Sequence, residues 1–221
     1  MGGWDVMSSH YIEFNYNAPP PGLSSFTRIR LGWILPDQAV PVNPGETRVV
    51  FLAPLDRGGE TLVVKIPLAG GKYYLVENRR QIGYDRIQPD SGLLVLKVNP
   101  DAPEGTGTAV IMNADPKSPG FSRATFRPDR KGRDIFEDRE SRIAIIPLWM
   151  QGEDQGVLVT TLENSADALK ATRALLELRD RPPAGTGKDR EILEASLEAF
   201  RNFDFRKSHE LARQIGAGAG R

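Results

Sequence analysis

The sequence predicts an α+β protein: a mainly antiparallel, sandwich-like β-domain followed by a C-terminal helical hairpin or small bundle. Three observations carry this. Residues 46–162 hold about seven short runs rich in β-branched and large apolar residues, separated by turn signals. Residues 165–215 change to apolar positions at helical spacing. Gly and Pro, 22 and 17 of the 221 residues, fall mostly before residue 135 and there favour strands and turns over long helices.

The elements follow in order. Residues 1–45 are aromatic and Pro-rich with little periodicity: Trp4, Tyr11, Phe14 and Tyr16, then Pro19-Pro-Pro-Gly22. Within them Leu23–Trp33 predicts a short helix capped by Ser24 or Ser25 and ending at Gly32. The strand runs are Arg48–Leu52, Thr61–Ile66, Tyr73–Glu77, Gly92–Val98, Ala109–Met112, Arg142–Ile146 and Val157–Thr161. Several are apolar on both faces, which suits central strands covered on both sides. Beyond them, Ser165 is the expected cap of a helix with Leu169, Thr172, Leu175 and Leu176 on one face. Pro182-Pro-Ala-Gly-Thr-Gly187 breaks it. Ile192, Leu193, Leu197 and Phe200 line a second helix, and Asp204 caps a third with Phe205, Leu211, Ala212 and Ile215 on one side. The tail from Gly216 is expected to fray.

Composition narrows function. Lys+Arg and Asp+Glu are both 29, so net charge gives no electrostatic reason for a nucleic-acid or anionic-membrane partner. No apolar run approaches the roughly 20 residues of a membrane span. The absence of cysteine excludes disulfides and thiolate metal sites. Met1–Met7 has neither the basic nor the apolar region of a signal peptide, and the start reads as an interior one.

Three blocks stand out. Gly3-Trp-Asp-Val-Met-Ser-Ser9, read by itself, is a core Trp and Met in a tight turn. Pro21-Gly-Leu-Ser-Ser-Phe-Thr-Arg-Ile-Arg-Leu-Gly-Trp-Ile34 holds the short helix. Lys72-Tyr-Tyr-Leu-Val-Glu-Asn-Arg-Arg-Gln-Ile-Gly-Tyr-Asp85 is followed by Pro89-Asp-Ser-Gly-Leu-Leu-Val-Leu-Lys-Val-Asn99. In this order the blocks resemble the secreted zinc metallopeptidases of the immune inhibitor A type, in the portion after the zinc-binding helix. The resemblance covers about residues 2–115 and is looser beyond. It implies that residues 1–45 are a remnant of a catalytic domain, set before the β-rich domain 46–162 and the helical hairpin 165–215 that the strand runs and helical spacing predict.

By that resemblance Trp4, Asp5 and Met7 form a Met-turn-like segment, with Met7 as an apolar, polarizable floor beneath a zinc site. Tyr74, Glu77, Asn78, Arg79, Gly83 and Asp85 are family-motif residues with a structural role. Zinc is the family's cofactor, and proteolysis outside the cell or in its envelope the family's activity. Two departures matter: Lys97 stands where relatives often carry His, and Leu96 where they often carry Trp. An ammonium has no lone pair for a metal. The sequence also lacks the His-Glu-x-x-His helix that supplies two ligands and the general base. Its two histidines, His10 and His209, are isolated: His10 reads as an active-site wall or a turn residue, and His209 as the polar side of a helix.

Two further groups admit two readings each. Glu77 and Arg79, two apart on a strand, share a face and form either a polar pair lining a cleft or an ion-paired anchor between sheet and neighbour. Asp134, Glu137, Asp138 and Glu140 could supply oxygen ligands to calcium, but Arg130, Lys131, Arg133, Arg139 and Arg142 surround them as in a solvated charged loop. The chain by itself is therefore expected to carry no catalytic residue and no metal. Its expected partners are a missing catalytic segment or a protein substrate, with self-association through Trp4, Met7, Phe14 and Trp33 if these stay uncovered. The alternative is a non-enzymatic extracellular binding or assembly module derived from such a peptidase.

Overall fold

The computed structural model describes residues 1–8, 20–103, 105–180 and 187–218. Ser9, His10, Tyr11, Phe14, Tyr16, Pro19 and the break at 182–186 lie outside the described residues. The chain divides into two compact units, Met1–Val159 and Thr160–Arg221.

The first unit is built on two sheets. Strands β1 (Ala39–Pro41), β3 (Val63–Pro67), β4 (Tyr73–Arg79), β5 (Gly92–Val98) and β6 (Ala109–Ile111) form one, in the order β1-β3-β4-β5-β6. Strands β2 (Arg48–Leu52), β7 (Phe136–Asp138), β8 (Ile143–Gln151) and β9 (Asp154–Thr161) form the other, in the order β2-β9-β8-β7. Pairing is antiparallel at β3–β4, β4–β5, β5–β6, β2–β9 and β7–β8, and parallel where β1 joins β3. The class is α+β with sandwich-like, antiparallel-rich sheets.

Alternation sorts the core into two layers. Val64, Ile66, Tyr74, Val76, Leu93 and Val95 point from the first sheet toward Val50, Leu52, Ile143, Ile145, Val157 and Val159 of the second. Their strand neighbours Val63, Leu75, Leu94, Leu96 and Val98 point the other way and pack with Trp4, Ile34, Leu55, Phe26 and Ile29. Both faces of this sheet are thus covered, which is why β4 and β5 read as continuous apolar runs.

Helix α1 (Ser25–Arg30) begins at a Ser24 cap, as its sequence requires. The division at residue 45 is not a division in space. β1 extends the first sheet and Trp4 sits in its core, so residues 1–8 and 20–45 belong to the same unit as the strands. Strands β1 and β7 carry no alternating pattern over three residues each and are additions to the sequence reading.

The second unit holds α2 (Leu162–Asp180), α3 (Gly187–Arg201) and α4 (Phe205–Gly218). Helix α2 starts at Leu162, directly after β9, so Ser165 is not its cap but a buried residue beside Ala168, Ala171, Thr172 and Leu175. Asp204 does cap α4, accepting the Lys207 amide at 3.1 Å. Phe200 and Phe205 meet edge-on at 5.3 Å, and buried Ser196 donates to the Ser208 carbonyl at 2.7 Å.

Candidate functional site: a buried ion network joining three motif blocks

The odd residues of β4 that follow Leu75 are charged. Glu77 and Arg79 lie on the face covered by Trp4 and α1, and both are fully buried. A buried guanidinium needs its charge matched and its N–H groups accepted. Arg79 Nη1 donates to Glu77 Oε1 at 2.8 Å, Nη2 to Asp85 Oδ1 and to the Trp4 carbonyl at 3.0 Å each, and Nε to Gln88 Oε1 at 3.0 Å. Its guanidinium also stands 6.0 Å from the Trp4 ring.

Each acid then reaches a further segment. The second Glu77 oxygen accepts the Ser25 amide at 2.7 Å, placing a carboxylate on the first turn of α1. Asp85 Oδ1 also accepts the Gly22 amide at 3.1 Å and Gln88 Nε2 at 2.8 Å. A Cβ on Gly22 would stand 2.5 Å from that oxygen, so the approach requires glycine. Asp5 Oδ2 accepts the Ser24 amide at 3.0 Å, the Ser24 hydroxyl at 2.5 Å and the Thr27 hydroxyl at 2.9 Å, while Oδ1 accepts the Met7 amide at 2.8 Å. Arg28 closes the rim, donating to the Leu23 and Leu55 carbonyls and pairing with Asp56 at 3.2 Å.

Burial pushes the Asp85 carboxyl up to about 6, against the pull of Arg79 and with a further push from Asp56 and Glu77. Its Oδ2 is buried without a hydrogen bond, although it lies 2.9 Å from Arg79 Nε.

The motif residues are thus distributed as follows. Trp4 is fully buried, its indole N–H on the Phe121 carbonyl at 2.9 Å, and needs no outside cover. Met7 and Trp33 are exposed, 74% and 64%, and Phe14 lies outside the described residues. Asn78 faces the inter-sheet side and donates to the Leu52 carbonyl at 2.9 Å, tying β4 to the end of β2. Tyr74 lies in the inter-sheet core with its hydroxyl on Asp138 at 2.8 Å and its ring edge-on to Phe136 at 5.2 Å. Burial, then the Asp138 hydrogen bond, raises the Tyr74 phenol above its ordinary range. Lys97 Nζ lies 5.7 Å from the Tyr74 ring. Gly83 takes a positive φ of 52°, and its backbone approaches Asp56 so closely that a Cβ would collide with the carboxylate.

Of the four acids considered for calcium, Asp138 uses Oδ2 for Tyr74 and Oδ1 for the Glu140 and Ser141 amides. Asp134 accepts the Gly132 amide. Among the described residues, no group of three or more His, Asp or Glu side chains is placed to hold a metal. His209 lies half-buried on α4. The sequence reading missed Ser24, Ser25, Thr27, Arg28, Asp56 and Gln88 as members of the network. Only Ser24 and Ser25, as alternative caps, and the Pro21–Ile34 block carried any signal for them.

No family model, no curated protein and no solved structure matches the chain.

Proposed function

We propose that the chain is the supporting, non-catalytic part of a secreted zinc metallopeptidase of the immune inhibitor A type, acting outside the cell or in its envelope. One observation supports this reading most. The three blocks that resemble the family are separate in sequence, the third about 40 residues beyond the second, yet meet in a single buried network: Asp5 from the first, Ser24, Ser25 and Arg28 from the second, Glu77, Arg79 and Asp85 from the third. In this arrangement Trp4 and Asp5 are locked inward while Met7, whose amide Asp5 holds, projects outward. A methionine displayed from a rigid base suits an apolar floor beneath a metal site completed by another segment.

Asp5, Glu77 and Asp85 already accept N–H or O–H donors, so this acid cluster does not fit a zinc ion. The network's role is to hold the Met7 segment against the sheet. Zinc ligands and general base would come from the catalytic segment, the chain's expected partner.

Two measurements test the reading. The purified chain should leave casein and a quenched peptide uncleaved, with or without added zinc, because no described constellation supplies a general base beside a metal. Zinc-dependent cleavage abolished by a chelator would overturn that. The coding frame upstream of the Met1 codon should specify a His-Glu-x-x-His helix, and a stop codon directly before Met1 would overturn the peptidase assignment. The second outcome would leave the alternative, a binding or assembly module, which is favoured by the exposed Trp33 and Tyr84 beside a surface cleft.

A further inference from the structure

A surface cleft of about 520 Å³ is lined by Arg28, Trp33, Asp56, Gly83, Tyr84 and Arg86. That size falls in the roughly 300–1,000 Å³ range of pockets that take small ligands or a few side chains. Trp33 and Tyr84 are 64% and 66% exposed, an unusual display of two large aromatics at one place.

The polar groups of the cleft decide what it can hold. Asp56, the only acid among the described lining residues, is engaged on both oxygens: Oδ1 accepts Arg28 and Oδ2 accepts the Tyr84 amide, a contact that the positive φ of Gly83 allows. Arg28 spends three of its N–H groups on the Leu23 and Leu55 carbonyls and on Asp56, which leaves two. Arg86 spends one on the Gly83 carbonyl. Among the described residues, the Trp33 indole N–H and the Tyr84 hydroxyl have no partner. The cleft therefore offers N–H and O–H donors, a surplus positive charge and two aromatic faces, and no free carboxylate. A bare anion would use the donors and leave the aromatic faces idle.

We infer that this cleft binds an extended polypeptide segment bearing an acidic side chain. The carboxylate would sit on Arg86 and the spare Arg28 donors, and a neighbouring apolar side chain on Trp33 and Tyr84. The inference goes beyond the peptidase reading and stands whether or not that reading holds.

The test is a titration of the intact ¹⁵N-labelled chain with acetyl-Gly-Leu-Asp-Leu-Gly-amide, with its Asn counterpart and with sodium acetate, following the Trp33 indole N–H. The Asp peptide should shift this resonance saturably, and the Asn peptide should bind roughly tenfold more weakly, the loss of one charge-assisted pair. Arg86→Ala, a change at an exposed side chain that leaves the buried network intact, should weaken the Asp peptide by about the same factor. Trp33→Ala, followed by the Tyr84 amide, should weaken both peptides. Equal binding of the Asp and Asn peptides would overturn the inference. So would an acetate shift as large as the Asp peptide's at equal concentration, or the absence of saturation.

Discussion

Arg79 is a fully buried cation whose charge is met by Glu77 and Asp85 and whose remaining donors are met by Gln88 and the Trp4 and Leu23 carbonyls. Breaking such a set by removing one partner costs about 3–5 kcal/mol, because the other charges stay buried. Asp85 is the least comfortable member, since burial raises it to about 6 and one of its oxygens lacks a hydrogen bond. The sign follows from the folded value lying above the ordinary one. The folded state binds the extra proton, so this group's contribution to stability is full below the ordinary carboxylate range and is lost as pH rises through about 6. Its size is on the order of 3 kcal/mol. Asp85→Asn should flatten the fall in stability between about pH 4 and about pH 7 relative to wild type. Urea midpoints at the two pH values measure this, and parallel pH profiles for the two proteins would refute it.

At the scale of elements, α1 has six residues, too few to hold as a helix without outside help. Its help comes from Ser24 as cap, from Glu77 on the Ser25 amide and from Asp5 on Ser24 and Thr27. Ser24→Ala should cost about 0.5–2 kcal/mol as a lost cap. Asp5→Asn should cost more, since it weakens acceptance from three donors at once. Because the two side chains share a 2.5 Å bond, the double variant should show a coupling of about 1 kcal/mol in denaturant unfolding, and strict additivity would contradict the shared cap.

These elements also separate what was legible in the sequence from what was not. The α1 cap, the Asp204 cap and most strand runs carry local signals, and the spacing of Glu77 and Arg79 places them on one face. Strands β1 and β7 carry none, because their pairing is supplied by a neighbour's backbone and not by their own side chains. The start of α2 at Leu162 escaped because Thr161 passes from strand to helix without a break. Gln88 and Asp56 join the network from irregular segments, where no period marks a residue as inward-facing. The cover of Trp4 carries no local signal, because it comes from residues such as Leu75 and Leu94 and from the Phe121 carbonyl, more than a hundred residues away.

At the scale of the whole molecule, Arg79 holds the three blocks together as one structural body within the unit Met1–Val159. Among the described residues no helix is long and apolar enough to cross a membrane, and the network sits in the two-sheet unit Met1–Val159, which also holds α1. The segments that depend on the network are residues 1–8 and 20–30. The β8–β9 pair instead has its own apolar burial, through Ile143, Ile145, Val157 and Val159. Stability within a domain is uneven, and segments held by few contacts open below the global limit. Hydrogen exchange on intact wild type and Arg79→Met, under conditions where both remain folded, therefore tests this role of Arg79 most directly. Arg79→Met should lose protection at residues 2–8 and across α1 together, while β8 and β9 keep theirs. Loss confined to β4, or protection of the N-terminal segment and α1 unchanged from wild type, would contradict it.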